Sequence, residues 1–217
     1  MSSSIVRKFA MALSGFFLLF FLLQHMSINM LSVLSEDAFN DVSHFMGYNP
    51  MVQFALQPIL MFGVIFHLGM GIYLERQNRA ARPIKYAMNK GEANSTWMSR
   101  NMIITGIMIM LFLGLHLYDF WVHEMTVKYI DVLPEDPTRY WGELHEKFHD
   151  PIRVGIYLVS FVFLALHLMH GFQSAFQSVG FNHNKYTPII EKLSNIYAIV
   201  VPLGFIFIAV FHFMTQS

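Results

Sequence analysis

The chain has 217 residues, of which 55% are hydrophobic, 16% aromatic and 13% charged, about half the charged share of an average soluble domain. This is the composition of an integral membrane protein, with length for five or so spanning helices of roughly 20 apolar residues each and none for a separate soluble catalytic domain. Cysteine is absent, which excludes disulfides, thiolate-bound iron–sulfur clusters and the C-x-x-C-H haem attachment, and the formal net charge is zero.

The first predicted helix spans residues 8–32 and carries His25 near its far end. Its approach, MSSSIVRKFAMALSGFF, has a basic start and an apolar run but no small-residue cleavage site, so it reads as a retained first span. The acidic segment SEDAFNDVSH follows. The second helix covers 50–74, with Pro50 in its first turn and His67 near its exit. The third covers 100–123, where Gly106 and Gly114 precede His116 and allow a neighbouring helix or a flat ring to approach. A polar loop with Pro134 and Pro137 leads to the fourth helix, 152–177, which holds His167 and His170. The fifth, 193–214, is expected to kink at Pro202. No internal repeat or low-complexity stretch is evident, and the whole chain, 1–217, is expected to form a single membrane domain.

Short cytoplasmic loops are rich in Lys and Arg. With the N-terminus inside, ten of the fourteen basic residues lie on the inner side and eleven of the fourteen acidic residues on the outer side. A five-helix topology with a cytoplasmic N-terminus and an outer C-terminus follows. The basic inner face suits anionic lipid or a docked protein, and no nucleic-acid partner is expected.

An ionisable ring at membrane depth marks a functional site by default. At about 1.5 Å of rise per residue, His25 and His116 fall roughly 25 Å from the inner edge, while His67 falls roughly 12 Å from it and His167 can share that inner level. One such histidine could equally be a core residue bonded to a carbonyl; four at matching depths leave that reading little room. Two imidazoles on facing helices can fill both axial positions of a haem iron, which favours electron transfer over chemistry at the metal. His170 is a further candidate for ligand or supporting donor. His212 reads as structural, and the sixteen methionines read as packing filler rather than a copper path.

The ordered set GFFLLFFLLQH, FHLGMGIYLERQNRAARPIKY, TWMSRNMIITGIMIMLFLGLHLY and FLALHLMHGFQSAFQSVG resembles the cytochrome b subunit of the succinate dehydrogenase and fumarate reductase family, in its two-haem, five-helix type. In that family the fourth-helix ligand is followed by a small polar residue and glycine, then a more distant glycine, matched here by His167, His170 with Gly171, and Gly180. The family commonly has asparagine at the position of His170, and Ala165 stands where some fumarate reductases carry a glutamate used in proton transfer.

The resemblance implies an all-α integral membrane protein in which four of five helices form a haem-binding bundle. It implies two haem b groups, one between His67 and His167 and one between His25 and His116. It further implies an iron–sulfur subunit and a flavoprotein subunit docked on the cytoplasmic side, menaquinone as the quinone, membrane lipid around the bundle, and a bacterial cytoplasmic membrane; a dimer of heterotrimers is a further expectation. Arg100, Trp97 and Lys185 are at positions suited to haem propionates, or equally to lipid or partner contacts. Candidate quinone residues are His44, Tyr118, His123 and Glu124. The rival readings are the cytochrome b of another membrane oxidoreductase, such as a nitrate reductase or formate dehydrogenase, and a transporter of metal ions or protons.

Overall fold

The computed structural model describes residues 4–80 and 101–215, and the regular structure over those residues is entirely helical. Helix α1 (Ser4–Leu34) stops where Ser35 turns extended, and the Ser35 hydroxyl accepts the Ala38 N–H at 3.2 Å, so the same residue ends α1 and caps α2 (Glu36–Tyr48). Glu36 and Asp37 in the first turn of α2 complement the helix dipole. Asn49 repeats the device, its side-chain oxygen accepting the N–H groups of Met51 and Val52 at 3.0 and 3.3 Å. A π-helical stretch, Val52–Leu56, then leads into α3 (Gln57–Ala80). Pro58 lies just past this wider turn, which accommodates a ring that has no N–H and would crowd the carbonyl four residues back in a tight α turn.

Helix α4 (Met102–His116) runs on through two π-helical stretches, Leu117–Val122 and Thr126–Ile130, that flank His123–Met125. After Pro134 and Pro137 comes the short α5 (Arg139–Lys147). Asp150 caps α6 (Pro151–Ser178), accepting the Ile152 N–H at 2.9 Å with Pro151 at the first helical position. Gly180 follows with φ +94°, a left-handed value that glycine adopts without strain, and α7 (Thr187–Met214) contains Pro202.

Five helical runs are long and apolar enough to cross a membrane. They extend beyond the predicted bounds, the second to Ala80 and the third to Ile130, while the fifth begins at Thr187. The acidic stretch after residue 35 and part of the stretch expected as a polar loop are helical, because each finds a tertiary partner for its few apolar side chains. Phe39 of α2 and Leu144 of α5 are buried in one cluster with Phe148, Tyr157, Phe161, Val201, Phe205 and Ile208. Trp141 fastens α5 to α2 and α1, its backbone N–H donating to Asn40 Oδ1 and its ring N–H to the Ser32 carbonyl, both at 2.8 Å. These two short helices thus cap one end of the bundle, the far end; α1 begins at the opposite, near end.

Named contacts set the directions of the helices. Arg7 bonds Tyr73 and Ser14 meets His67, so α1 and α3 are antiparallel. Thr105 meets His167 and Asp119 meets Tyr157, so α4 and α6 are antiparallel as well. Phe161 stacks on Phe205 and Phe172 packs on Tyr197, which runs α7 antiparallel to α6. Tyr197 reaches the Leu19 carbonyl and His212 reaches Ser32, which makes α7 parallel to α1. Helices α1 and α4 therefore point the same way.

Candidate functional site

His25 of α1 and His116 of α4 meet ring to ring in the far half of the bundle, their centroids 5.7 Å apart and their planes at 82°. Phe21 stacks on His25, Phe205 of α7 lies 5.7 Å from it, and Phe112 and Phe120 flank His116. The pair thus stands in an aromatic sleeve. His116 Nδ1 is buried with no hydrogen-bond partner, and His25 Nδ1 lies 3.4 Å from the Asn29 side-chain amide.

The other two histidines are held by hydroxyl groups. His67 Nδ1 lies 3.0 Å from Ser14 Oγ of α1, and His167 Nδ1 lies 3.1 Å from Thr105 Oγ1 of α4. Each hydroxyl donates its only proton to a carbonyl one turn back, Ser14 to Met11 at 2.8 Å and Thr105 to Met102 at 2.9 Å. The hydroxyl oxygen can then only accept from the ring, so Nδ1 carries the hydrogen in both histidines. Nε2 keeps its lone pair, which is the state a ring must have to bind a metal through that atom. Beside each hydroxyl stands a glycine: a Cβ on Gly15 would lie 3.8 Å from His67 Cε1, and one on Gly106 would lie 3.7 Å from His167 Cε1. Larger side chains there would press on the imidazoles.

The two outward helices carry the same pattern. Ser14, Gly15 and His25 on α1 match Thr105, Gly106 and His116 on α4, a hydroxyl residue and glycine followed eleven and ten positions later by histidine. Because α1 and α4 run parallel and His25 touches His116, Ser14 and Thr105 stand at equal height. The histidines they bond define a second level about 16 Å from the first, eleven residues at the helical rise. The imidazoles, with a glycine beside each near-level ring and an aromatic surround and one unpartnered ring nitrogen at the far level, are the donor set that would fit a flat, iron-centred ring system. Among the described residues no three His, Asp or Glu side chains converge on one point; the imidazoles come in pairs.

The remaining expected site residues are scattered. His170 is half-buried on α6, three residues beyond His167. Lys185 is exposed in the turn before α7, with its ammonium 5.6 Å from the Tyr186 ring. Arg100 and Trp97 lie outside the described residues. At the far end, His44 bonds Glu135 at 2.8 Å and packs on Tyr48, while His123 approaches Glu143 at 3.4 Å. Glu124 is the hub of this network, pairing with Lys128 at 2.5 Å and with Arg139, which also holds Glu143 at 2.6 Å. Tyr118, 66% exposed, shares no bond or ring contact with the other three among the described residues.

The network shifts its own titrations. Arg139 is raised: burial alone would lower it, but bonds to Glu143 and Glu124 outweigh that. Tyr140 is raised by burial first and by the Glu124 charge second, and Tyr48 for the same two reasons.

Two polar groupings are not anticipated from the sequence. Asp119, 1% exposed, accepts the Tyr157 hydroxyl at 2.8 Å and approaches Arg153 at 3.3 Å, leaving Oδ1 without a partner. His212, which reads in sequence as a lone structural ring, pairs with His145. A buried carboxylate three residues after His116 could have been flagged from spacing; the His145–His212 pair depends on α5 being a helix.

The chain is similar to the succinate dehydrogenase cytochrome b558 subunit of Bacillus subtilis (strain 168), at 22% identity over 184 residues, which cover 83% of this chain and 81% of that relative. No family model and no solved structure matches it.

Proposed function

We propose that this chain is the dihaem cytochrome b that anchors a succinate dehydrogenase or fumarate reductase in the membrane and carries electrons between its iron–sulfur subunit and menaquinone. The observation that carries the reading is the two-level set of histidines, His25 with His116 and His67 with His167, each pair drawn from two different helices. The named relative, a cytochrome subunit of a succinate dehydrogenase, supports it independently. His25 with His116 and His67 with His167 would hold the haem at these two levels, and it would supply a one-electron couple suited to electron transfer.

The protein's own groups do the rest. Ser14 and Thr105 hold His67 and His167 in the tautomer that presents Nε2. Gly15 and Gly106 leave the space beside those rings. The phenylalanines around His25 and His116 exclude water, which keeps the local dielectric low and the redox site insulated. The near end, where Arg7, Arg76, Arg79 and Lys192 lie, faces the cytoplasm and receives the iron–sulfur subunit with its flavoprotein, in a bacterial cytoplasmic membrane. Menaquinone is met at the far end, in reach of His44, His123 and Glu124.

The reduced-minus-oxidised spectrum of the purified complex, with pyridine haemochrome quantitation per chain, tests this. Two b haems per chain with a co-purifying flavoprotein are expected. Two haems with a different partner would assign the chain to another membrane oxidoreductase, and no haem in an intact complex would refute the reading.

A further inference from the structure

Near the end of α7, His212 is a fully buried imidazole, 0% exposed, that the two histidine levels do not use. Its Nε2 lies 2.9 Å from Ser32 Oγ and its Nδ1 lies 3.1 Å from His145 Nδ1. The Ser32 hydroxyl donates to the Asn29 carbonyl at 2.6 Å, so it can only accept from His212. That fixes the hydrogen of His212 on Nε2, makes its Nδ1 the acceptor, and makes His145 Nδ1 the donor. The basic nitrogen of the pair is therefore His145 Nε2, on a half-buried residue of α5. Trp141 stacks on His145 with centroids 4.7 Å apart and meets His212 edge-on at 5.6 Å.

The bonds continue in the other direction. Asn29 donates to the His25 carbonyl at 2.8 Å and its amide lies 3.4 Å from His25 Nδ1. One polar thread thus joins His145, His212, Ser32, Asn29 and His25 through a core otherwise built from residues such as Phe148, Phe205 and Ile208. From Ser32 to His25 the thread covers about 10 Å of α1. A clamp between α5 and α7 would need one bond, and would not need a second imidazole in series with the first.

The groups facing the pair are Ser32 from α1, Trp141 from α5 with Asn40 of α2 behind it, and Phe148 with Tyr157 of α6 behind it. Among the described residues no carboxylate bonds either ring. The Asp119 carboxylate and Arg153 stand behind Tyr157 and bond neither ring, so negative charge arriving at the His25–His116 level favours adding a proton to the pair.

We propose that the His145–His212 pair is a redox-linked proton acceptor for the far-level site. This rests on the haem reading above. One electron arrives at the His25–His116 level from the iron–sulfur partner, and one proton from the far-end water adds to His145 Nε2. The Nδ1 proton of His145 then shifts to His212 Nδ1, so the added charge is shared across the pair. Reoxidation releases the proton by the reverse steps. Electron and proton affinities are coupled reciprocally, so the far-level potential falls as pH rises, while the near level, which has no such hydrogen-bonded pair among the described residues, is less affected.

The test uses the holo-complex with its two-haem content first measured by pyridine haemochrome. Both haem potentials are titrated across a pH series, and proton uptake on electrochemical reduction is followed in weakly buffered solution with an indicator dye. The wild type should show a pH-dependent far-level potential with proton uptake, and His145→Gln and His212→Gln should lose both while retaining two haems. His145→Gln, at the more accessible position, reads out the proposal even if the buried variant does not assemble. A His145→Gln complex with two haems and unchanged pH dependence overturns this inference alone, as does a wild type with none. A complex without haem overturns the functional reading on which it rests.

Discussion

Replacing Ser14 with alanine removes the acceptor that fixes the tautomer of His67. The bond is 3.0 Å long and the hydroxyl's own proton goes to the Met11 carbonyl, so the substitution takes away the acceptor that the ring N–H uses. A buried donor left unpaired costs about 1–3 kcal/mol. Taking about 2 kcal/mol, at 1.4 kcal/mol for each factor of ten, the near-level haem should bind about thirty-fold more weakly. That lies inside the roughly 10–100-fold usually seen when the hydrogen-bond partner of a ligating histidine is lost. The assay is haem retention against a scavenging apoglobin, followed at the separate absorption bands of the two haems. Ser14→Thr keeps the hydroxyl and should retain the haem, whereas Thr105→Val should act on the same haem as Ser14→Ala. Unchanged retention in Ser14→Ala, or first loss of the far-level haem, would refute the assignment of Nε2 as the ligating atom.

The other expectations can be tested on the same preparation. His67→Ala should remove the near-level haem and leave the far one, and His25→Ala should do the reverse; pyridine haemochrome gives one haem per chain in each case, and two in either variant sinks the ligand pairing. Glu124→Gln breaks a hub in which Lys128 and Arg139 keep only 6% and 13% side-chain exposure, and should destabilise the chain by about 3–5 kcal/mol in a denaturation series, against less than about 1 kcal/mol if the network behaves as a surface one. Tyr140 is raised by burial and by Glu124, so its contribution is full below the ordinary tyrosine range near about pH 10 and is lost as pH rises through the folded value. Tyr140→Phe should flatten that alkaline loss in thermal melts, and an unchanged slope would show that the tyrosine ionises freely.

The spanning helices were legible because a run of Leu, Ile, Phe and Met long enough to cross a bilayer needs no tertiary information. The histidine levels were legible for a related reason: helical rise turns sequence distance into depth, and His25, His67, His116 and His167 needed only that. The short helices α2 and α5 were not, since each owes its helix to a partner, Asn40 of one to Trp141 of the other. The Ser35 cap ahead of two acids was the one local signal for α2. The hydroxyl residues that orient the rings were hidden as well, because Ser14 and His67 are 53 residues apart in sequence and Thr105 and His167 are 62 apart. Their repeated spacing to His25 and His116 was visible in principle, as twelve positions buried in two unlike apolar runs.

The hydroxyl bonds and the histidine pairings divide the chain differently. Ser14 sets the ring of His67 within the half formed by α1 and α3, and Thr105 sets that of His167 within the half formed by α4 and α6. Each histidine level, by contrast, draws one ring from each half. Biogenesis then has an order: either hairpin can mature its own imidazole as it enters the bilayer, but neither level exists until the second hairpin has closed against the first. On the proposed haem reading, a haem captured before that moment would meet a single ligand and be readily released, so cofactor loading would report that both halves have assembled.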